Sequence, residues 1–215
     1  GPFLLIPLLL GTGLVLTIRL RGVQFRKLWP ALRLGLITRH DPGATEGDIS
    51  QYQALTTALA ATVGVGNIAG VATAIYFGGP GALFWMWITG LVGMASKYSE
   101  AFLGVKYRRV DARGEQNGGP QHYLARAIPN RFGLILSLMF AVFAVLASFG
   151  IGNMTQANTV ATQLDDTFGV PTWTSGVVMA VLAGAVLLGG IKSIGKVTAG
   201  FVPAMIVLYV GAGIL

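Results

Sequence analysis

The decisive stretch is residues 51–77, QYQALTTALAATVGVGNIAGVATAIYF. It exceeds the roughly 20 apolar residues needed to cross a bilayer, yet Gly64, Gly66 and Asn67 fall together in its middle. Each glycine costs a helix about 1 kcal/mol relative to alanine, so an unbroken helix is disfavoured there. Non-helical backbone at membrane depth is tolerated only where it lines a cavity or is buried in protein. Unwinding frees N–H groups at the start of the outer half-helix and C=O groups at the end of the inner one. The first set suits a carboxylate and the second a hard cation such as sodium. Thr62 and Asn67 flank the break and could add side-chain oxygens. The same glycines, with Gly70, equally suit close helix packing, and the residues alone leave both readings open.

Further apolar windows lie on either side, at 3–18, 82–105, 132–164, 173–190 and 197–215, which predicts six spans. Hydrophobic residues make up 53% of the chain and charged residues 11%, well below the share of about 25% usual in soluble domains. The 31 glycines are scattered through apolar runs rather than gathered into linkers. If the windows alternate in direction, all 15 Lys and Arg fall on one side of the membrane. Arg19, Arg21, Arg26, Lys27, Arg33 and Arg39 follow the first window. Lys97, Lys106, Arg108, Arg109, Arg113, Arg126 and Arg131 cluster around the link between the third and fourth. Lys192 and Lys196 flank the link between the fifth and sixth. The opposite links carry no Lys or Arg, and one holds Asp165 and Asp166. This is the positive-inside pattern. It predicts a multi-pass protein of the cell (inner) membrane with its N-terminus outside, and it explains the net charge of +7 without nucleic acid. Trp29, Trp85, Trp87 and Trp173 sit near span ends, as interfacial indoles do.

Between the first two spans, Phe25, Leu28, Trp29, Leu32 and Leu36 recur at helical spacing within a basic segment. That suits either an interfacial amphipathic helix or a solvated loop. Lys97 and Glu100 are spaced to pair on one helix face. They could form a structural or gating pair, or take part in coupling. A GGP turn at 78–80 makes a tight outward hairpin. A second, Gly118-Gly119-Pro120, is placed to start a short helix over 121–128. On the fourth span Ser148, Gly152, Gln156, Thr159 and Gln163 fall on one α-helical face. That amide-rich stripe could line a cavity or hold helices together. Pro203 is expected to kink the sixth span.

No Asp or Glu lies near the middle of a span, which favours a cation held by neutral oxygens over a proton relay. His40 and His122 fall in separate cytoplasmic segments and read as interfacial residues rather than metal ligands. The chain has no cysteine and no HExxH, P-loop or Ser-His-Asp pattern, so no enzymatic activity and no cofactor are expected.

ATVGVGNIAGVATAI, GGPGALFWMW, the later GGP with His122-Tyr123, and ASFGIGNMTQAN together resemble the alanine or glycine:cation symporter family over essentially the whole chain. The resemblance implies a LeuT-type fold of two inverted five-helix repeats and sodium-driven uptake of alanine or glycine. On that likeness residues 1–18 are an extra transmembrane helix, 19–50 a cytoplasmic connection and 51–215 the first repeat. The chain would then be an N-terminal half, whose partner is the missing C-terminal repeat. It also implies that substrate meets Thr62, Gly64, Val65, Gly66 and Asn67, with Phe149 and Gln156 lining the pocket. Sodium would meet the Ala60 and Val63 carbonyls, with Thr62 and Asn67 as further oxygen donors. A channel subunit, or a scaffold that uses its glycines for packing alone, remains the alternative.

Overall fold

The computed structural model describes residues 2–38, 47–112 and 114–214. Arg39, His40, Pro42, Arg113 and the last residue of the sixth window lie outside the described residues. Helices α1 (Pro2–Arg19), α2 (Val23–Arg26) and α3 (Leu28–Leu32) lead into a π-helical turn, Arg33–Thr38. Then come α4 (Gln51–Thr62), α5 (Val65–Gly78) and α6 (Pro80–Lys106). A ribbon of β1 (Arg109–Val110) and β2 (Gln116–Asn117) precedes α7 (Pro120–Ala127). Helix α8 (Arg131–Ala147) passes through a π-helical segment, Ser148–Met154, into α9 (Thr155–Phe168). Helices α10 (Thr172–Leu187) and α11 (Gly190–Ile214) follow.

Two compact units divide the chain, one of residues 1–32 and 72–145, the other of 33–71 and 146–215. In the first, α1 packs on α6 through Gly13, where a Cβ would strike the Val92 side chain and lie 2.9 Å from its carbonyl. Both GGP motifs turn the chain in the same way. Gly79 (φ 60°) and Gly119 (φ 120°) adopt backbone angles open to glycine, and the following prolines open α6 and α7. Gln121 then accepts on its carbonyl from the Ser137 hydroxyl at 2.6 Å, joining α7 to α8. Arg126 donates to the Tyr107 and Arg108 carbonyls at 3.3 Å each, satisfying acceptors past the end of α6. Lys97 and Glu100 pair at 3.2 Å on α6. Burial, and then the Glu100 charge, raise the pKa of the Tyr123 hydroxyl on α7.

In the second unit α4 starts at Ser50, which forms a capping box with Gln53. Helix α4 then packs along α11. The Thr57 and Thr198 hydroxyls lie 3.0 Å apart, and the Tyr52 hydroxyl donates to the Ala199 carbonyl at 3.4 Å.

Among the described residues, two helices are long and apolar enough to span a membrane, Arg131–Phe168 and Gly190–Ile214. The bent pair α4 and α5 makes a third if counted as one span. The other windows also fold as helices. However, α1 and α10 are shorter, and the tryptophans, glycines and Lys97 of α6 lower its apolarity. Phe3, Leu9, Phe143, Val181 and Leu208, among many others, are exposed. No residue of the most apolar stretch of Arg131–Phe168 is buried by protein. Apolar surface on that scale needs lipid or further protein to cover it, and the fold is that of an all-α membrane protein.

Three local expectations change. The basic segment after α1 is not one amphipathic helix, because helix gives way to a π-helical turn at Arg33. The 106–131 connection carries a β-ribbon that no periodicity announced. Lys192 and Lys196 lie inside α11, since the tight turn at Gly190 (φ 64°) restarts the helix early. That helix continues through Pro203.

Candidate functional site

The span of residues 51–77 is broken where glycine content predicts it. Helix α4 ends at Thr62, α5 starts at Val65, and the two are bent by 41°. The last α-helical bond of α4 runs from the Val63 N–H to the Leu59 carbonyl at 2.8 Å, and Val63 is then extended (φ −82°, ψ 110°).

Two side-chain amides take the donors that would have continued the helix. The Gly64 N–H donates to Asn67 Oδ1 at 3.2 Å, and the Val65 N–H donates to Gln156 Oε1 at 3.0 Å. The Asn67 N–H turns back to the Gly64 carbonyl at 2.9 Å. Asn67 is the third residue of α5, so its side chain reaches back as in half of a capping box. Gln156 reaches the same terminus from the first turn of α9. The consequence falls on the other side of the break. Among the described residues, the carbonyls of Ala60, Ala61, Thr62 and Val63 lose the partners that an α-helix would give them.

The two glycines of the break have different surroundings. A Cβ on Gly64 would stand 3.0 Å from Gln156 Nε2 and 3.2 Å from Oε1, a tight contact from which the amide would have to give by a few tenths of an ångström. A Cβ on Gly66 would meet nothing within 4 Å, which leaves open space beside this turn.

The structure therefore brings Thr62, Gly64, Val65, Gly66, Asn67 and Gln156 to one place, next to the Ala60 and Val63 carbonyls. Thr62 Oγ1 donates to the Ala58 carbonyl at 2.7 Å and keeps its lone pairs. Phe149 is not tied to the break by any hydrogen bond or ring contact among the described residues. It sits on the π-helical segment and is 67% exposed. That segment also breaks the stripe foreseen on the fourth span, because π-helical winding rotates Ser148 and Gly152 off the α-helical register of Gln156. Gln163 turns to Thr167 Oγ1 on its own helix at 2.8 Å. The Ala61 carbonyl, which sequence reasoning did not single out by number, also lacks its helical partner, because the Val65 N–H goes to Gln156 instead.

An apolar helical chain with a glycine-broken span, whose inner half-helix ends in released carbonyls, has a feature that recurs in transporter folds. The chain belongs to the sodium:alanine symporter family, whose sequence profile matches residues 1–215. It is 53% identical over 216 residues to the sodium/alanine symporter AgcS of Methanococcus maripaludis, covering all of this chain and 47% of that protein. It is 47% identical over 207 residues to an uncharacterized transporter of Haemophilus influenzae, covering 96% and 44%. It is 37% identical over 211 residues to a probable sodium/glutamine symporter, GlnT, of Bacillus subtilis, covering 97% and 42%. The chain thus spans about half the length of the curated relatives it matches.

Proposed function

We propose that this chain forms the N-terminal half of a secondary transporter that carries a small neutral amino acid, alanine or glycine, into the cell with sodium. The observation that carries the reading is the amide-held break, with donors on the α5 side and released carbonyls on the α4 side. A carboxylate is the natural acceptor for N–H groups at a helix start, and neutral oxygens suit sodium. In this reading the substrate carboxylate meets Val65, Gly66 and Asn67, taking the Val65 N–H over from the Gln156 amide that holds it at 3.0 Å. The Ala60 and Val63 carbonyls hold sodium, and Thr62 and Asn67 add oxygens. Gln156 and Phe149 line the pocket from the fourth span.

The open space at Gly66 supports a ligand close to the backbone. The same reading has six spans, an extra helix over 1–18, a connection over 19–50 and a five-helix repeat over 51–215. It places the N-terminus outside the cell membrane, and the rest of the transporter supplies the inverted repeat. Counterflow of labelled alanine by the full-length protein in proteoliposomes tests it. Saturable exchange that requires sodium is expected, and exchange without saturation or without sodium dependence would count against the proposal.

A further inference from the structure

The break also bears on how the cation side of the site is made ready. An α-helix through this segment would bond the Gly64 N–H to the Ala60 carbonyl and the Val65 N–H to the Ala61 carbonyl. Both donors are instead held by side-chain amides, at 3.2 Å by Asn67 and 3.0 Å by Gln156. Left without those acceptors, the two N–H groups would return to the carbonyls, because an unmet backbone donor in a low-dielectric setting is costly. We infer that Asn67 and Gln156 are positioning residues for the coupling cation. By holding the N–H groups of Gly64 and Val65, they keep the span open before substrate arrives and present the Ala60 and Ala61 carbonyls as cation ligands. Gln156 thereby acts on sodium without touching it, and the Ala61 carbonyl joins the ligand set.

The tight fit at Gly64 is the second support. A Cβ there would lie 3.0 Å from Gln156 Nε2 and 3.2 Å from Oε1, so the absent side chain lets the amide sit at the break without being crowded. A glycine placed only to weaken a helix would need no such neighbour.

This inference rests on the sodium-coupled reading above, and the test separates the two. Sodium titrations of the purified full-length protein, with no amino acid present, are read as the rise in melting temperature. Gln156→Leu, which removes the acceptor at similar volume, should raise the sodium concentration for half-effect by about two- to tenfold, as expected for one lost neutral hydrogen bond. Gln156→Glu keeps an acceptor oxygen and should restore most of the response. Gly64→Ala, which crowds the amide rather than removing it, should shift the titration in the same direction and carries the test should Gln156→Leu not fold. If sodium stabilises the wild type and the folded variants share its titration, Gln156 serves only substrate and the inference falls. If sodium alone has no effect on the wild type, the sodium-coupled reading falls, and this inference with it.

Discussion

Gln156 Oε1 accepts the Val65 N–H at 3.0 Å, joining the first turn of α9 to the first turn of α5 across 91 positions of sequence. Gln163, two turns further along α9, spends its amide on Thr167 of the same helix. The two glutamines should therefore respond differently to truncation. Gln156→Ala should raise the apparent KM for alanine uptake by a few-fold to roughly tenfold, the effect of losing a neutral hydrogen bond. Gln163→Ala should change it less than twofold, by about the noise of surface substitutions. Equal effects in transport assays would assign both residues to helix packing.

Glycines of similar appearance should also separate. Gly66→Ala meets no atom within 4 Å, so the protein should insert and purify normally while losing substrate affinity, because a methyl group enters the open space. Gly133→Ala would press a methyl onto the Ile128 carbonyl and to within 2.9 Å of that of Leu124. It should lower the yield of folded protein, with a cost of about 1–3 kcal/mol for overpacking. Size-exclusion profiles and uptake assays read the two effects apart.

Asn67→Ala adds no bulk and removes the acceptor for the Gly64 N–H. The variant should fold yet need more sodium for half-maximal uptake. Each charge that crosses 100 mV supplies about 2.3 kcal/mol, and zwitterionic alanine brings none. Uptake into proteoliposomes should respond to an inside-negative potential only when sodium is present. Unchanged sodium dependence in the variant, with no voltage response, would remove the break from coupling.

The charge pattern predicts which links face the cytoplasm. Cysteines introduced at Gly81, beside the first GGP turn where a side chain meets open space, and at the exposed Asp166 should react with an impermeant maleimide on intact cells. A cysteine at Ala112, in the β-ribbon loop, should not. Ala112 is the better probe than neighbouring Gly114, whose φ of 80° disfavours a side chain. External labelling at Ala112 would reverse the topology.

Much of this protein was legible in one dimension because the determining forces are local or additive. The bilayer's demand for apolar length set the helical class. The helical cost of Gly64 and Gly66 located the break between Thr62 and Val65, and the two GGP turns followed from glycine and proline torsions. Asn67 was marked from sequence as an oxygen donor at the break, but that its oxygen caps the Gly64 N–H emerges only in the structure.

Other features depended on which distant segments met. VGVGN says that backbone groups will be freed there, but nothing in it says that the Val65 N–H will find Gln156. The fourth span looked like one α-helical face, yet two of the five stripe residues, Ser148 and Gly152, fall in the π-helical winding over Ser148–Met154. Thr57 likewise shows no special pattern until α11 brings Thr198 to 3.0 Å. Hydrophobic length and backbone torsions are properties of a segment, and the sequence alone determines them. Where a freed N–H or hydroxyl finds its acceptor depends on distances across the fold, which only the tertiary structure decides.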